Sequence, residues 1–193
     1  MKTGSGQIFA LLLLALLAGL SFWLKKAVEP ASEVPDSKTR HEPDAIAENF
    51  TVRQYDAGGR VARRLSAPYM EHFPDDDSSE LKSPKLVRHK PDAPDMTLTG
   101  DRARVTSKGE TILLEDNVVA TRAPTAERPQ LVARMPDLTV KPDDGVAYTA
   151  SPVEITEGPS WMKGTGMHID NNTATFQLQS QVTGLLYPRR AAK

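Results

Sequence analysis

Histidine, aspartate and asparagine supply the residue types that could do chemistry in this chain, and none stands in a catalytic pattern. The four histidines are His41, His72, His89 and His168. No two of them have the HExxH spacing, or another that places two ligands on one helix face, so each reads as a surface side chain. Asp75, Asp76 and Asp77 form an acidic run without the spaced oxygen ligands and closing glutamate of a calcium loop. A GxSxG nucleophile elbow is absent from the sequence, as is a Gly-rich phosphate loop following a strand. Asn49-Phe50-Thr51 and Asn171-Asn172-Thr173 match the glycan-acceptor triplet, which is short enough to arise by chance. The chain has no cysteine, which excludes disulfides, thiolate metal sites and lipoprotein acylation. These residues point to a protein that binds rather than catalyses, without metal or cofactor.

The chemistry left is the burial of apolar surface. Met96 to Val105 has stretches of alternation, Ser107-Lys108-Gly109 reads as a turn, and Thr111-Ile112-Leu113-Leu114 resumes. Met167-His168-Ile169 alternates, Asp170-Asn171-Asn172 turns, and Thr175 to Gln179 alternates again. Phe176, Leu178 and Val182 share one parity and so one face, while Gln177 and Gln179 take the other. The predicted interior is Leu81, Leu98, Val105, Ile112, Leu114, Leu138, Val140, Ile155, Met167, Ile169, Phe176 and Leu178. Branched aliphatics dominate it, and aromatic residues make up only 6% of the chain, so few rings are available to plug the middle.

These stretches belong to a weak internal repeat of about 29 to 35 residues. Gly100-Asp-Arg-Ala-Arg-Val105 matches Gly164-Thr-Gly-Met-His-Ile169, and Tyr69 to Asp76 matches Asp137 to Asp144. Each unit reads as two strands and a turn. The Asp75-Asp76-Asp77 run then falls at a solvated hairpin tip, as does Asp143-Asp144-Gly145. Stacked hairpins give an all-β sandwich or jelly roll. Fifteen prolines and twelve glycines suit short strands better than long helices.

The N-terminus differs. Ile8 to Leu24 is 17 residues without a charge, spanning about 25 Å as a helix. That is the short end of what crosses a bilayer. Trp23 sits near its end and Lys25 and Lys26 stop it. A cleaved signal peptide would use the small-x-small site Gly19-Leu20-Ser21, leaving Phe22-Trp23-Leu24 as an exposed apolar start. A retained anchor fits better. The flanking lysines do not settle its orientation. Val28 to Pro43 is polar and proline-punctuated, an extended tether. The predicted organisation is a tail over 1–7, a transmembrane helix over 8–24, a tether over 25–46, a β domain over 47–188 and a tail over 189–193. With 24 basic against 25 acidic residues and no basic stripe, nucleic acid is not a predicted partner.

The anchor, the tether and the run Ala47-x-x-Phe50-x-Val52-x-x-Tyr55-Asp56-x-x-Gly59 resemble the LptC family of lipopolysaccharide export proteins. So do Pro84-x-Leu86, Leu114-x-x-Asn117-Val118, Pro152-Val153 and Gly164-x-Gly166-Met167. The resemblance covers almost the whole chain and rests on the order and spacing of motifs that are individually weak. It implies an all-β, open β-jelly roll in the periplasm, built from repeated hairpins and preceded by one N-terminal transmembrane helix in the inner membrane. The N-terminus would be cytoplasmic. It implies a non-enzymatic role: receiving lipopolysaccharide from the LptB, LptF and LptG transporter and passing it to LptA, with acyl chains in the interior. The N-terminal edge, with Phe50, Val52 and Tyr55, would meet LptF. The C-terminal edge, with Val182, Thr183, Gly184, Leu185 and Tyr187, would meet LptA and stop at Pro188, which cannot donate to a ladder.

Two other readings remain open on the residues themselves. One is a membrane-anchored protein-interaction module with a filled β core and no lipid path. The other is a periplasmic enzyme, which would need an ionisable cluster on the concave face where the sequence puts aliphatics.

Overall fold

The computed structural model describes residues 5–28, 41–91, 93–106, 109–173 and 175–187. Residues 29–40 of the expected tether, residues 1–4 of the first tail, Ser107-Lys108 of the expected turn, the stop at Pro188 and the tail over 189–193 lie outside the described residues. The chain divides into two units, Met1–Thr39 and Arg40–Lys193.

The first unit contributes α1 (Ser5–Val28), longer at both ends than the predicted 8–24. Its 24 residues extend about 36 Å. Lys25 and Lys26 fall in the last turn, where cations complement the helix dipole. Among the described residues no helix is long and apolar enough to cross a membrane, so the expected transmembrane helix over 8–24 is not supported by them.

The second unit is one antiparallel sheet of eleven strands. They are β1 (Ala45–Tyr55), β2 (Val61–Phe73), β3 (Ser78–Lys82), β4 (Lys85–Lys90), β5 (Ala93–Thr99), β6 (Arg102–Thr106), β7 (Thr111–Arg122), β8 (Leu131–Lys141), β9 (Val146–Glu157), β10 (Ser160–Asp170) and β11 (Thr175–Leu185). The domain thus begins two residues before the predicted Ala47. β3 and β4 are two halves of one pass, since both pair with β2. β5 and β6 are likewise halves of one pass along β7. The sheet is therefore a meander of nine passes.

Every pass breaks near its middle. Positive backbone φ occurs at Asn49 in β1, Ser83 between β3 and β4, Asp116 and Asn117 in β7, Gly166 in β10 and Gln181 in β11. Pro68, Pro136 and Pro152 occupy the middle of β2, β8 and β9, where a missing N–H interrupts a ladder. Gly100 separates β5 from β6. The pairing registers shift at these same places, between Glu115 and Val118, Arg134 and Thr139, and Thr165 and Met167. The breaks line up across the sheet as one crease that folds it into two facing arms, a jelly-roll-like arrangement.

Irregular backbone bonds and side-chain bonds replace the regular ladder along the crease. Ser83 N donates to Asp101 O at 2.7 Å and Asp101 N to Asp116 O at 2.9 Å. Asn117 Nδ2 donates to Asp101 Oδ2 at 2.6 Å. Across β8 and β9, Asp137 accepts from Thr149 Oγ1 at 2.7 Å and from Ser151 Oγ. The arm carrying the turns at 74–77, 142–145 and 171–173 is the first arm. The arm carrying those at 56–60 and 158–159 is the second. The two acidic hairpin tips expected from the repeat are both on the first arm, each six residues past a crease proline, Pro68 or Pro136.

Candidate apolar binding site

Register places one inward row across all nine passes of the second arm. It runs Val52, Leu65, Leu86, Leu98, Ala120, Ala133, Ile155, Met162 and Gly184. The first arm opposes it with Ala47, Met70, Leu81, Ala103, Leu114 and Leu138 in register. A second row there runs Val105, Ile112, Val140, Ala147, Ile169 and Phe176. Period-two alternation makes these rows continuous, because a partner directly opposite an inward residue also points inward.

The filling of this interior changes along the meander. Between β2 and β8 the arms meet through Leu65, Leu86 and Leu98 against Leu81, Val105, Ile112 and Leu114, leaving about 50 Å³. Between β7 and β11 the row carries Ala120 and Ala133, and the gap opens to about 360 Å³. Leu138, Met167, Ile169 and Phe176 of the first arm face Ala133, Ile155 and Met162 of the second across it. An apolar chain entering this space would gain about 0.8 kcal/mol per methylene taken out of water.

Of the twelve predicted interior residues, Leu81, Leu114, Leu138, Ile155 and Met167 are buried in the core cluster, and Leu98, Val105, Ile112, Val140, Ile169 and Leu178 pack against it. Phe176 lies outside that cluster; it is 43% exposed and lines the open cavity. Val118 and Val153 are more buried than most of that set. Both recur at matching repeat positions, thirteen residues past Val105 and Val140; that spacing marks the repeat but was not carried into the predicted interior. Ala67, Ala103, Ala133, Met135 and Ala147 also belong to the core. Small side chains carry little hydrophobic signal, so the residues that leave the cavity open were the hardest to read.

Polarity changes in a single row at the rim. Met96, Arg122, Leu131, Glu157 and Ser160 are in register and all line the cavity. Arg122 and Glu157 were not read as interior residues, because charged side chains in a strand are normally assigned outward.

Both ends of the sheet are open edges among the described residues, since β1 pairs with β2 and β11 with β10. On β1, Phe50 packs against the core while Val52 and Tyr55 are exposed. On β11, Val182 is 50% exposed, so it is not sealed inside, and Leu185 and Tyr187 are exposed too. Thr183 and Gly184 pair with Lys163 and Met162. A Cβ on Gly184 would lie 2.8 Å from the Trp161 carbonyl oxygen, so that strand approaches β10 too closely for a side chain there.

The polar candidates have structural partners. His72 Nδ1 meets Asp44 Oδ1 at 2.6 Å and its Nε2 meets Asp77 Oδ1 at 3.4 Å. The hydrogen bond to Asp44, then that to Asp77, raises its pKa above the usual histidine value. His89 pairs with Asp95 at 2.9 Å. His41 stacks on Phe73 and meets Asp75 Oδ2 at 2.9 Å. His41, Asp75 and Asp76 bring ligand atoms within 4.8 Å of one another, all exposed. Asp76 there is already engaged by Arg104 Nη2 at 2.6 Å and by Ser78 N at 3.1 Å. Asn171 and Asn172 donate to Gly145 O and Asp144 O, tying two hairpin tips together.

Comparison with known proteins agrees with this architecture. The fold is similar to LptH from Pseudomonas aeruginosa, described as the LptA-homologous periplasmic component of the conserved lipopolysaccharide transport device. The TM-score is 0.53 and the identity 9%, over 65% of this chain and 95% of that one. No curated protein sequence matches the chain. The family model "Lipopolysaccharide-assembly, LptC-related" matches residues 11–187. The chain therefore belongs to the LptC-related lipopolysaccharide-assembly family, whose role is in lipopolysaccharide transport.

Proposed function

We propose that this protein accepts lipopolysaccharide from the inner-membrane LptB, LptF and LptG transporter and hands it to LptA, carrying the acyl chains between its two arms. The observation that carries this reading is the inward apolar row that crosses all nine passes and widens between β7 and β11. A filled interaction module has no use for alanines at 120 and 133 facing an open space. In this reading α1 is a single-pass inner-membrane anchor with a cytoplasmic N-terminus, supported by the uncharged run Ile8–Leu24. The N-terminal edge at Phe50, Val52 and Tyr55 takes a strand from LptF. The C-terminal edge at Val182, Thr183, Gly184, Leu185 and Tyr187 takes one from LptA. Strand addition at each edge would remove the aggregation hazard of an unpaired ladder.

In-cell photocrosslinking tests the lipid path. A photoreactive residue at Phe176, on the cavity wall, is expected to label lipopolysaccharide, and one at the neighbouring, exposed Gln177 is not. Equal labelling at both positions would refute an interior path.

A further inference from the structure

Arg122 and Glu157 are the charged side chains in the wall of the larger cavity. Arg122 Nη2 donates to Glu157 Oε1 at 2.5 Å and reaches the Pro129 carbonyl oxygen at 3.4 Å. The two side chains are 17% and 21% exposed. Arg122 Nε is buried and has no hydrogen-bond partner.

A strand cross-link alone gives a poor account of this arrangement. Removing an ion pair from water costs more than its attraction usually returns, and an apolar pair would join β7 to β9 without that cost. A buried guanidinium N–H without an acceptor adds a further penalty. The position of the pair is informative. The row beneath it, Leu98 to Met162 through Ala120, Ala133 and Ile155, is apolar throughout. A chain inserted between the arms from the rim inward would cross that row with its apolar part and leave its polar end at the level of Arg122. A guanidinium offers a planar fork of donors that matches an oxyanion, and the low-dielectric wall strengthens the bond.

The geometry points to Arg122 as the residue that recognises the headgroup, a phosphate borne by an acylated amphiphile, with Glu157 holding the guanidinium in place while the cavity is empty. This rests on the lipid reading of the cavity. The opposed roles make a signed prediction: neutralising the arginine weakens phosphate recognition, and neutralising the glutamate strengthens it.

The test uses the full chain held in a phosphate-free, non-ionic amphipol, with Trp23→Phe so that Trp161 is the one remaining indole. Fluorescence of Trp161, itself on the cavity wall, reports binding of dodecyl phosphate, dodecyl maltoside and inorganic phosphate. Dodecyl phosphate is expected to bind roughly tenfold more tightly than dodecyl maltoside, the worth of one charge-assisted hydrogen bond. Arg122→Gln should erase that preference while leaving the maltoside unaffected. Glu157→Gln should tighten phosphate binding severalfold. Should Arg122→Gln fail to fold by circular dichroism, Glu157→Gln decides: unchanged or weaker phosphate binding overturns the assignment. Equal wild-type affinity for the two dodecyl probes overturns it while leaving the cavity reading intact. If neither probe binds, the cavity reading itself fails. Inorganic phosphate binding as tightly as dodecyl phosphate would make this a free-anion site, which also overturns it.

Discussion

Leu98 on β5 and Ala120 on β7 are register partners, and the interior changes width between them. On the Leu98 side, leucines from three passes meet those of the opposite arm and leave about 50 Å³. On the Ala120 side the gap is about 360 Å³. Volume here is set by side-chain size on a common backbone row, so it can be rewritten without moving a strand. Ala133→Leu should fill part of the open section. Adding apolar contact in existing space stabilises by about 1 kcal/mol, seen as a higher thermal midpoint. The same change should reduce lipopolysaccharide crosslinking from Phe176. A midpoint lowered by overpacking would show that the arms are closer together than the register implies.

The crease makes a separate prediction, about stability alone. Asn117 has φ 52° and its amide donates to Asp101 at 2.6 Å. Asn117→Gly keeps the backbone at ease and loses one hydrogen bond, for about 1 kcal/mol. Asn117→Ala loses the same bond and adds a left-handed penalty of about 1 kcal/mol more. Chemical denaturation of the three proteins should rank asparagine above glycine above alanine. Alanine equal to glycine would mean that the strand does not hold the positive φ.

Proton linkage should appear at the start of β1. His72 bonds Asp44 and Asp77, and these hydrogen bonds raise its pKa. A raised folded-state value means that protonation favours the folded end of this edge. The contribution is fully present below the unfolded value of about 6.5 and is lost as pH rises through the folded value. Amide exchange over residues 45–48 should therefore be better protected at pH 6 than expected from its protection at pH 8.5, after correction for intrinsic exchange. His72→Gln should remove the difference, and added salt should shrink it because the groups are exposed.

How much of this was legible in the sequence depends on what each residue signals. Leu114, Leu138 and Met167 stand in stretches where apolar residues recur at every second position, and parity alone places them on the inward face. Asp75, Asp76, Asp143 and Asp144 are turn formers in matched repeats, and the turns fall there. The crease was opaque. Ser83 and Gln181 adopt positive φ, yet neither residue type announces a break, and the prolines suggested short strands in general without marking 68, 136 and 152 as bends within one pass. Arg122 and Glu157 were illegible for a deeper reason: their inward position is set by register with Leu131, which depends on three strands together.

The last prediction concerns the β11 edge. Thr183 is exposed and in register with Lys163, so its side chain contributes little to the core, and Thr183→Pro acts mainly by removing a backbone donor. If this edge receives a strand from LptA, the proline should abolish capture of LptA while leaving association with the transporter intact, since LptF is proposed to meet the opposite, β1 edge. Leu185→Lys offers an independent route. Leu185 is 46% exposed, and a lysine on an open edge discourages strand addition at little expense to the fold. Both variants should keep the circular dichroism of the parent and fail in an LptA pull-down. If Thr183→Pro weakens the fold, Leu185→Lys still decides, because it leaves every backbone donor in place. Either variant, folded and capturing LptA at full strength, would remove β11 as the docking strand and shift the search to the exposed β1 edge around Val52 and Tyr55.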